Sequence, residues 1–341
     1  MTPHRVVAVG AGWVTLHRHL PAIRATPTLR LVGIVDRRAD RAAAAGRSAG
    51  VPFATELDDP VLGEHDAVSI GTAPMSHGAL VTAALDRGKH VLVEKPFAMD
   101  PGEAARLVAH ARERGRTLAV VHNFQFARSV LAARRHVARG TFGALRGVVG
   151  LQLSNDRRRL PEWYRTLPGG LFYDEAPHLF YLVRAFLGDA HVQEASFVPS
   201  ATPGDRTPRS AHIAFAGPGG TFATIDLTFA AALSEWQLLV LCERATLACD
   251  IFRDILVVLP DDGLHRPGQI MRSSVRATAG HGAGVVGSGL RYVTGRLDYG
   301  NHEVFRRFGA ALDRGSPPDG IAATDGQAVV DAMHAALSAL R

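Results

Sequence analysis

Four short apolar runs, Val6–Val9, Leu31–Val35, Ala67–Ile70 and Val91–Val93, are separated from one another by turns and by stretches with helical periodicity. Alternation of buried strand and helix predicts a parallel, doubly wound sheet with right-handed crossovers and helices on both faces. In an open sheet of that kind ligands bind outside the carboxyl ends of the strands. The residues that end each run are therefore the ones to read for chemistry.

The most abrupt ending belongs to Gly88-Lys89-His90-Val91-Leu92-Val93-Glu94-Lys95-Pro96. Pro96 removes a backbone donor and closes the ladder, leaving Glu94 and Lys95 at the strand end. Of 38 basic residues in the chain, only Lys89 and Lys95 are lysine. An ammonium is a compact point donor that burial can tune, whereas a guanidinium is a broad fork that stays charged. Lysine at this place is intelligible if Lys95 touches a reacting oxygen; the alternative is a lysine that snorkels from a strand end.

The first run continues into Gly10-Ala11-Gly12-Trp13-Val14-Thr15 and a helix through Ile23. Gly10 permits the tight turn and Gly12 lets backbone amides approach a pyrophosphate lying on the helix N-terminus. A second strand ends in Asp36, 24 residues after Gly12. A carboxylate there accepts from ribose hydroxyls and repels a 2′-phosphate, which favours NAD over NADP; Arg37 and Arg38 follow directly and could pair with such a phosphate, so NADP stays open. The next strand runs into Gly71-Thr72-Ala73-Pro74, with Ser76, His77 and a helix over 78–86 behind it. After Pro96 come a helix over 101–114, a strand over 117–121 and His122-Asn123-Phe124.

At 341 residues the chain exceeds one comfortable core, and the texture changes after Phe124. We expect domains at 1–124 and 125–341. A helix over 125–140 precedes strands at 145–154, 192–199, 210–216, 221–230, 235–242, 245–252 and 254–260, several alternating apolar and polar residues as in Thr221–Leu227. They predict a large, mostly antiparallel open sheet, interrupted by a helix over 174–187 that covers one face. The other face has no helix left for it and is expected to pair with another subunit as a homodimer or homotetramer. Residues 262–290, rich in glycine and arginine, read as a loop or oligomer arm. Helices over 301–314 and 324–340 close the chain, Thr324 being a possible cap.

The formal charge of +6 and pI near 9.9 come from arginines scattered through helices rather than a basic block, so an anionic small ligand is expected and nucleic acid is not. Cys242 and Cys249 are the only cysteines and lack a metal-type pattern, which argues against a disulfide scaffold or a metal site. With no apolar run of membrane length and no leader pattern, a cytoplasmic protein is expected.

A second cluster is Trp163-Tyr164-Arg165, with Arg157-Arg158-Arg159 ahead of it and Gly169-Gly170-Leu171-Phe172-Tyr173-Asp174-Glu175-Ala176-Pro177-His178 behind. On a helix, Asp174 and His178 share a face, and a carboxylate beside an imidazole suits a general base. A capping aspartate and a surface histidine would read the same way. The glycine pair would bring the preceding loop close to a nicotinamide ring, and the arginine triplet is either a clamp for an anionic substrate group or a solvated turn.

Taken together, Gly10-Ala11-Gly12, Thr72-x-Pro74-x-x-His77, the 88–96 segment, Asn123, Trp163-x-Arg165 and Gly169-Gly170-x-x-x-Asp174-x-x-x-His178 resemble the glucose-fructose oxidoreductase, inositol dehydrogenase and rhizopine-catabolism (Gfo/Idh/MocA) family over nearly the whole chain. The resemblance implies an α/β chain with a Rossmann domain, a second α/β domain, a nicotinamide cofactor and a sugar or cyclitol substrate. It implies that Lys95 contacts the substrate hydroxyl and the nicotinamide, that His178 is the acid-base residue and that Asp174 supports it. Gly10, Gly12, Trp13, Val14, Asp36, Arg37, Thr72, Pro74, His77, Glu94, Lys95 and Asn123 would line the cofactor, with Trp163 and Arg165 approaching from the second domain. Two departures stand out: Thr15 replaces the third glycine, and the family's histidine after the glycine turn falls at His19, one place late. The activity implied is an NAD(P)-dependent dehydrogenase or reductase of a secondary hydroxyl or ketone of a sugar, sugar nucleotide or cyclitol. Its rivals are redox-assisted elimination or glycoside cleavage with retained NAD, and a non-catalytic dinucleotide-binding regulator.

Overall fold

The structure, a computed structural model, describes residues 2–155, 157 and 160–340. Arg158 and Arg159 of the arginine triplet lie outside the described residues. The chain divides into two compact units, one made of Met1–Asn123 and Asn301–Asp331, the other of Phe124–Gly300 and Ala332–Arg341.

In the first unit, strands β1 (His4–Val9), β2 (Leu29–Val35), β3 (Phe53–Ala54), β4 (Ala67–Ile70), β5 (His90–Val93) and β6 (Leu118–Val120) form an all-parallel sheet in the order β3-β2-β1-β4-β5-β6. This is the expected Rossmann arrangement, with its switch point between β1 and β4. Val6, Val7, Ala8, Val68, Ile70, Val91, Leu92 and Val93 are wholly buried, as strands covered on both faces require. Helices α1 (Leu20–Ala25), α2 (Ala39–Ala49), α3 (His77–Asp86) and α4 (Pro101–Glu113) make the crossovers.

The second unit holds α5 (Arg128–Ala138), β7 (Leu145–Asn155), α6 (Leu171–Leu187), β8 (His191–Val198), β9 (Ser210–Ala216), β10 (Phe222–Ala231), β11 (Glu235–Cys242), β12 (Ala245–Asp250), β13 (Ile255–Pro260) and α7 (Pro267–Val293). Its sheet runs β13-β12-β11-β7-β10-β9-β8, and only the β7–β10 pair is parallel. Alternate residues such as Ile213, Ala223, Ile225, Leu227, Leu238 and Val240 are buried on the face that α6 covers. The all-but-antiparallel sheet matches the expectation.

Three expectations change. Residues 262–290 are not a loop: α7 is a 27-residue helix seated on β13, where a Cβ on Gly284 would come 2.4 Å from Ile255 and one on Gly280 3.4 Å from Val257. Each interior glycine costs about 1 kcal/mol of helix propensity, and the close seat offsets it. Val257 pairs with Ala248, and Ala248 with Leu239, so α7 covers the β13 margin of the face expected to be bare. Its outer side leaves Met271, Val275, Val286, Leu290, Tyr292 and Val293 exposed.

The second difference concerns α8 (Asn301–Arg314) and the first part of α9 (Ala323–Leu337), which pack in the first unit rather than with 125–300. Val304, Phe305 and Phe308 bury there, and Val120 N donates to Ile321 O at 2.8 Å. Lastly, Thr324 lies inside α9, and the Asp325 carboxylate accepts from Ala322 N at its start.

Candidate functional site

The glycine turn sits at the end of β1. Gly10 takes φ of +90°, and a Cβ there would meet Thr72 Cγ2 at 2.7 Å, so only glycine fits both the conformation and the space. Asp36, at the end of β2, is buried; its Oδ2 accepts from Ala11 N at 2.7 Å and its Oδ1 from Arg38 N at 2.9 Å. The carboxylate thus braces the turn and is held at the sheet edge. Arg38 is committed to Asp40 in a forked pair, while Arg37 projects outward. Trp13 is 64% exposed with the Arg18 guanidinium 5.2 Å from its ring centroid; Val14 is half-buried.

Both departures at the glycine turn have local remedies. The third glycine of a dinucleotide fingerprint gives room where helix meets strand. Here the room is supplied from the opposite side: a Cβ on Gly71 would lie 2.3 Å from Thr15 Oγ1, so the glycine has moved from the helix to the end of β4. Residues Thr15–His19 form a π-turn in which Leu20 N donates to Thr15 O. Such a turn absorbs one extra residue. It places His19, one position late, wholly buried beneath the sheet edge.

His19 then joins two strand ends. Its Nε2 lies 3.0 Å from Glu94 Oε1, and its Nδ1 lies 2.9 Å from Ser69 Oγ. A carboxylate only accepts, so Nε2 carries the hydrogen and the serine hydroxyl donates to Nδ1 in the neutral ring. The other Glu94 oxygen accepts from Lys95 N at 3.1 Å. Lys95 itself is half-buried just past β5, whereas Lys89 donates to His65 O at 2.8 Å and has a structural use. His77 is wholly buried, with Nδ1 2.8 Å from Pro96 O and Nε2 3.2 Å from Thr72 O. Burial pushes this imidazole below its usual pKa, and a neutral ring donates to only one of these carbonyls; the ring lies between the 72–77 turn and the end of β5. Pro74 is buried in that turn, and Asn123 is half-buried three residues beyond β6. The expected cofactor residues of this unit thus gather along the carboxyl edge of β1, β2, β4, β5 and β6, the arrangement a dinucleotide needs.

In the second unit α6 starts at Leu171, three residues ahead of the expected Asp174. Gly169 and Gly170 have φ of +67° and +58°, and a Cβ on Gly170 would strike Thr207, whose hydroxyl accepts from Leu171 N. Helix entry accounts for both glycines. From Leu171 to Val183 every residue is buried except Asp174 and His178, which fall on one face as expected. Trp163 and Arg165 lie on a short 3-10 turn over Glu162–Thr166, the first half-buried and the second exposed.

Sequence reading missed the groups that hold His178. Nδ1 lies 2.7 Å from the Tyr181 hydroxyl, and the ring is flanked by Phe124 and Trp236 at centroid distances of 4.6 and 5.0 Å. Tyr181 is one helical turn beyond His178, so a His-x-x-Tyr pattern was its one local signal. Glu175, also unremarked, is buried against Gln152 and Ser154. Among the described residues no group of three or more His, Cys, Asp or Glu could hold a metal ion, and no helix is long and apolar enough to cross a membrane.

Residues 4–122 match the model of an oxidoreductase family with an NAD-binding Rossmann fold, and residues 130–248 match the Gfo/Idh/MocA C-terminal domain. The chain belongs to the Gfo/Idh/MocA oxidoreductase family. It is 31% identical over 201 residues to an uncharacterised oxidoreductase of Schizosaccharomyces pombe, covering 56% of this chain and 53% of that protein. To the dTDP-3,4-didehydro-2,6-dideoxy-alpha-D-glucose 3-reductase of Actinomadura kijaniata it is 38% identical over 130 residues, covering 36% of this chain and 37% of that one. The chain therefore spans about half the length, or less, of these curated relatives. A myo-inositol dehydrogenase structure from Corynebacterium glutamicum superposes with a TM-score of 0.78 at 19% identity, covering 99% of this chain and 96% of that one, a likeness of fold.

Proposed function

We propose that this family member is an NAD(P)-dependent dehydrogenase or reductase acting on a secondary hydroxyl or ketone of a sugar, sugar nucleotide or cyclitol. Two observations, one within each unit, support the reading: a lysine at the end of β5 whose neighbour Glu94 is pinned by His19, and a half-buried histidine on α6 held by Tyr181 between aromatic rings. Relatives named for a dTDP-deoxysugar and for myo-inositol support the substrate class. The nicotinamide, when bound, supplies or accepts the hydride. Lys95 orients the substrate oxygen, His178 moves its proton, and Asp174, on the same face of α6, supports the site. Asp36, fixed by two backbone amides, favours NAD, since a 2′-phosphate would meet its carboxylate. Gly10, Gly12, Trp13, Val14, Arg37, Thr72, Pro74, Glu94 and Asn123 hold the dinucleotide, as do Trp163 and Arg165 of the second unit, and His77 braces two of its loops. Two free thiols, Cys242 and Cys249, accord with a reducing compartment such as the cytoplasm.

A panel of sugars, cyclitols and sugar nucleotides, each incubated with NAD, NADP and their reduced forms, tests this reading through nicotinamide absorbance. Turnover is expected with at least one polyol or its ketone, and faster with NAD. No turnover with any member, despite stoichiometric dinucleotide binding, would sink the enzymatic reading and leave a binding protein.

We further infer a homo-oligomer formed through the open face of the second sheet. Val149, Leu151, Leu153, Leu239 and Leu241 stand half-buried or exposed there, in adjacent registers of β7 and β11. Apolar side chains so grouped mark an interface. Leu151→Arg combined with Leu239→Arg should give a monomer by light scattering while the far-ultraviolet circular dichroism is unchanged. A wild-type chain that is monomeric at micromolar concentration would overturn the inference.

A further inference from the structure

We propose that Tyr181 is the positioning residue of the acid-base site and the far end of a proton relay: its phenol hydrogen holds His178 with the ring proton on Nε2 and follows that proton when it leaves. This rests on the reading of His178 as the group that serves the substrate oxygen. The hydroxyl of Tyr181 belongs to a buried side chain and meets Phe124 N at 3.0 Å and His178 Nδ1 at 2.7 Å. A peptide N–H can only donate, so Phe124 takes a lone pair of the phenol oxygen and leaves the phenolic hydrogen for Nδ1. The neutral imidazole then carries its hydrogen on Nε2. Exchange of the two nitrogens by a ring flip is opposed by Phe124 and Trp236, packed at 4.6 and 5.0 Å.

The consequence differs from that of a carboxylate at Nδ1. A carboxylate demands Nδ1–H and leaves Nε2 bare, ready to take a proton from an alcohol. With the phenol in that place, the resting site is loaded to give a proton, which is the reductive direction. As hydride from a reduced nicotinamide reaches the carbonyl carbon, the Nε2–H bond breaks and an O–H bond forms on the substrate. At the same time the Tyr181 O–H bond breaks and an Nδ1–H bond forms. The imidazole ends neutral, the charge ends on the phenol oxygen, and the Phe124 amide already faces that oxygen. Water afterwards returns a proton to the phenolate.

Tyr181→Phe keeps the ring and removes one hydroxyl. With a validated ketone substrate and reduced nicotinamide, kcat should fall about 10-fold to 100-fold with KM little changed. Rates in mixtures of light and heavy water should curve with deuterium fraction for the wild type, as two protons in flight require, and run straight for the variant. Nitrogen-15 spectra of the neutral His178 ring in the whole protein without substrate supply a readout apart from activity. The wild type should show the hydrogen on Nε2, and Tyr181→Phe a mixture of tautomers. A wild-type spectrum with the hydrogen on Nδ1 overturns the proposal, as does an unchanged kcat in Tyr181→Phe. If instead His178→Ala keeps full turnover while the spectrum shows Nε2–H, it is the acid-base reading that fails and the tautomer assignment that stands.

Discussion

His178→Ala should lower kcat by at least about 10²-fold, and Lys95→Ala should do the same, because each removes a group assigned to the oxygen at which charge develops. His178→Ala should leave the dinucleotide dissociation constant within about twofold, since the residue is assigned to the substrate oxygen and not to the dinucleotide. Lys95 stands at the end of β5 beside Glu94, so its removal is expected to weaken dinucleotide binding as well. The double variant is the sharper measurement. Groups that serve one oxygen act as a unit, and their losses do not add; the double variant should be about as slow as the worse single one. Steady-state rates on a substrate found by the panel, with dinucleotide binding followed by fluorescence, decide the matter. Turnover that survives either single change within about tenfold would show that another group moves the proton.

How far the chain could be read without coordinates depended on whether a residue's partners were local. The strands of the second unit fell within a few residues of their expected limits because one-sided burial imposes a period of two on the sequence. The strand ends of the first unit were equally legible, since buried parallel strands leave short unbroken apolar runs. Helix α7 was not, because its glycines signal a loop by local propensity and serve as a seat only once β13 is beside them. Nor was the return of 301–331 to the first unit, a matter of which apolar face meets which. At the site, Lys95, Asp174 and His178 stood out by residue type and spacing. The group that holds the His178 ring did not: a tyrosine hydroxyl bonded to an imidazole and to the amide of Phe124, 57 residues away, has no pattern beyond His-x-x-Tyr. The glycine turn is the clearest case. Thr15 and a late histidine looked like losses from a motif, and each is balanced by something the motif does not contain, Gly71 across the gap and a π-turn in the helix.

That late histidine leads to the second large effect. His19→Leu keeps much of the buried volume and removes both ring hydrogen bonds, leaving one oxygen of Glu94 without its partner at a place that is 8% exposed. A buried carboxylate so stripped costs about 3 kcal/mol, and the destabilisation should appear as a lower midpoint in urea unfolding of the first unit. Ser69→Ala, which loses only a neutral hydrogen bond to Nδ1, should cost about 1 kcal/mol. Glu94→Gln separates packing from charge: its carbonyl can still accept from His19, but its amide then faces Lys95 N, donor against donor. Replacing both members, His19→Leu with Glu94→Leu, should recover most of the stability, since an apolar pair has no charge to strand. Turnover should nevertheless stay low, because Lys95 loses the carboxylate that receives its backbone amide. If His19→Leu unfolds within about 0.5 kcal/mol of the wild type, or if the double variant regains activity together with stability, the Ser69–His19–Glu94 chain is packing alone and does not set the lysine.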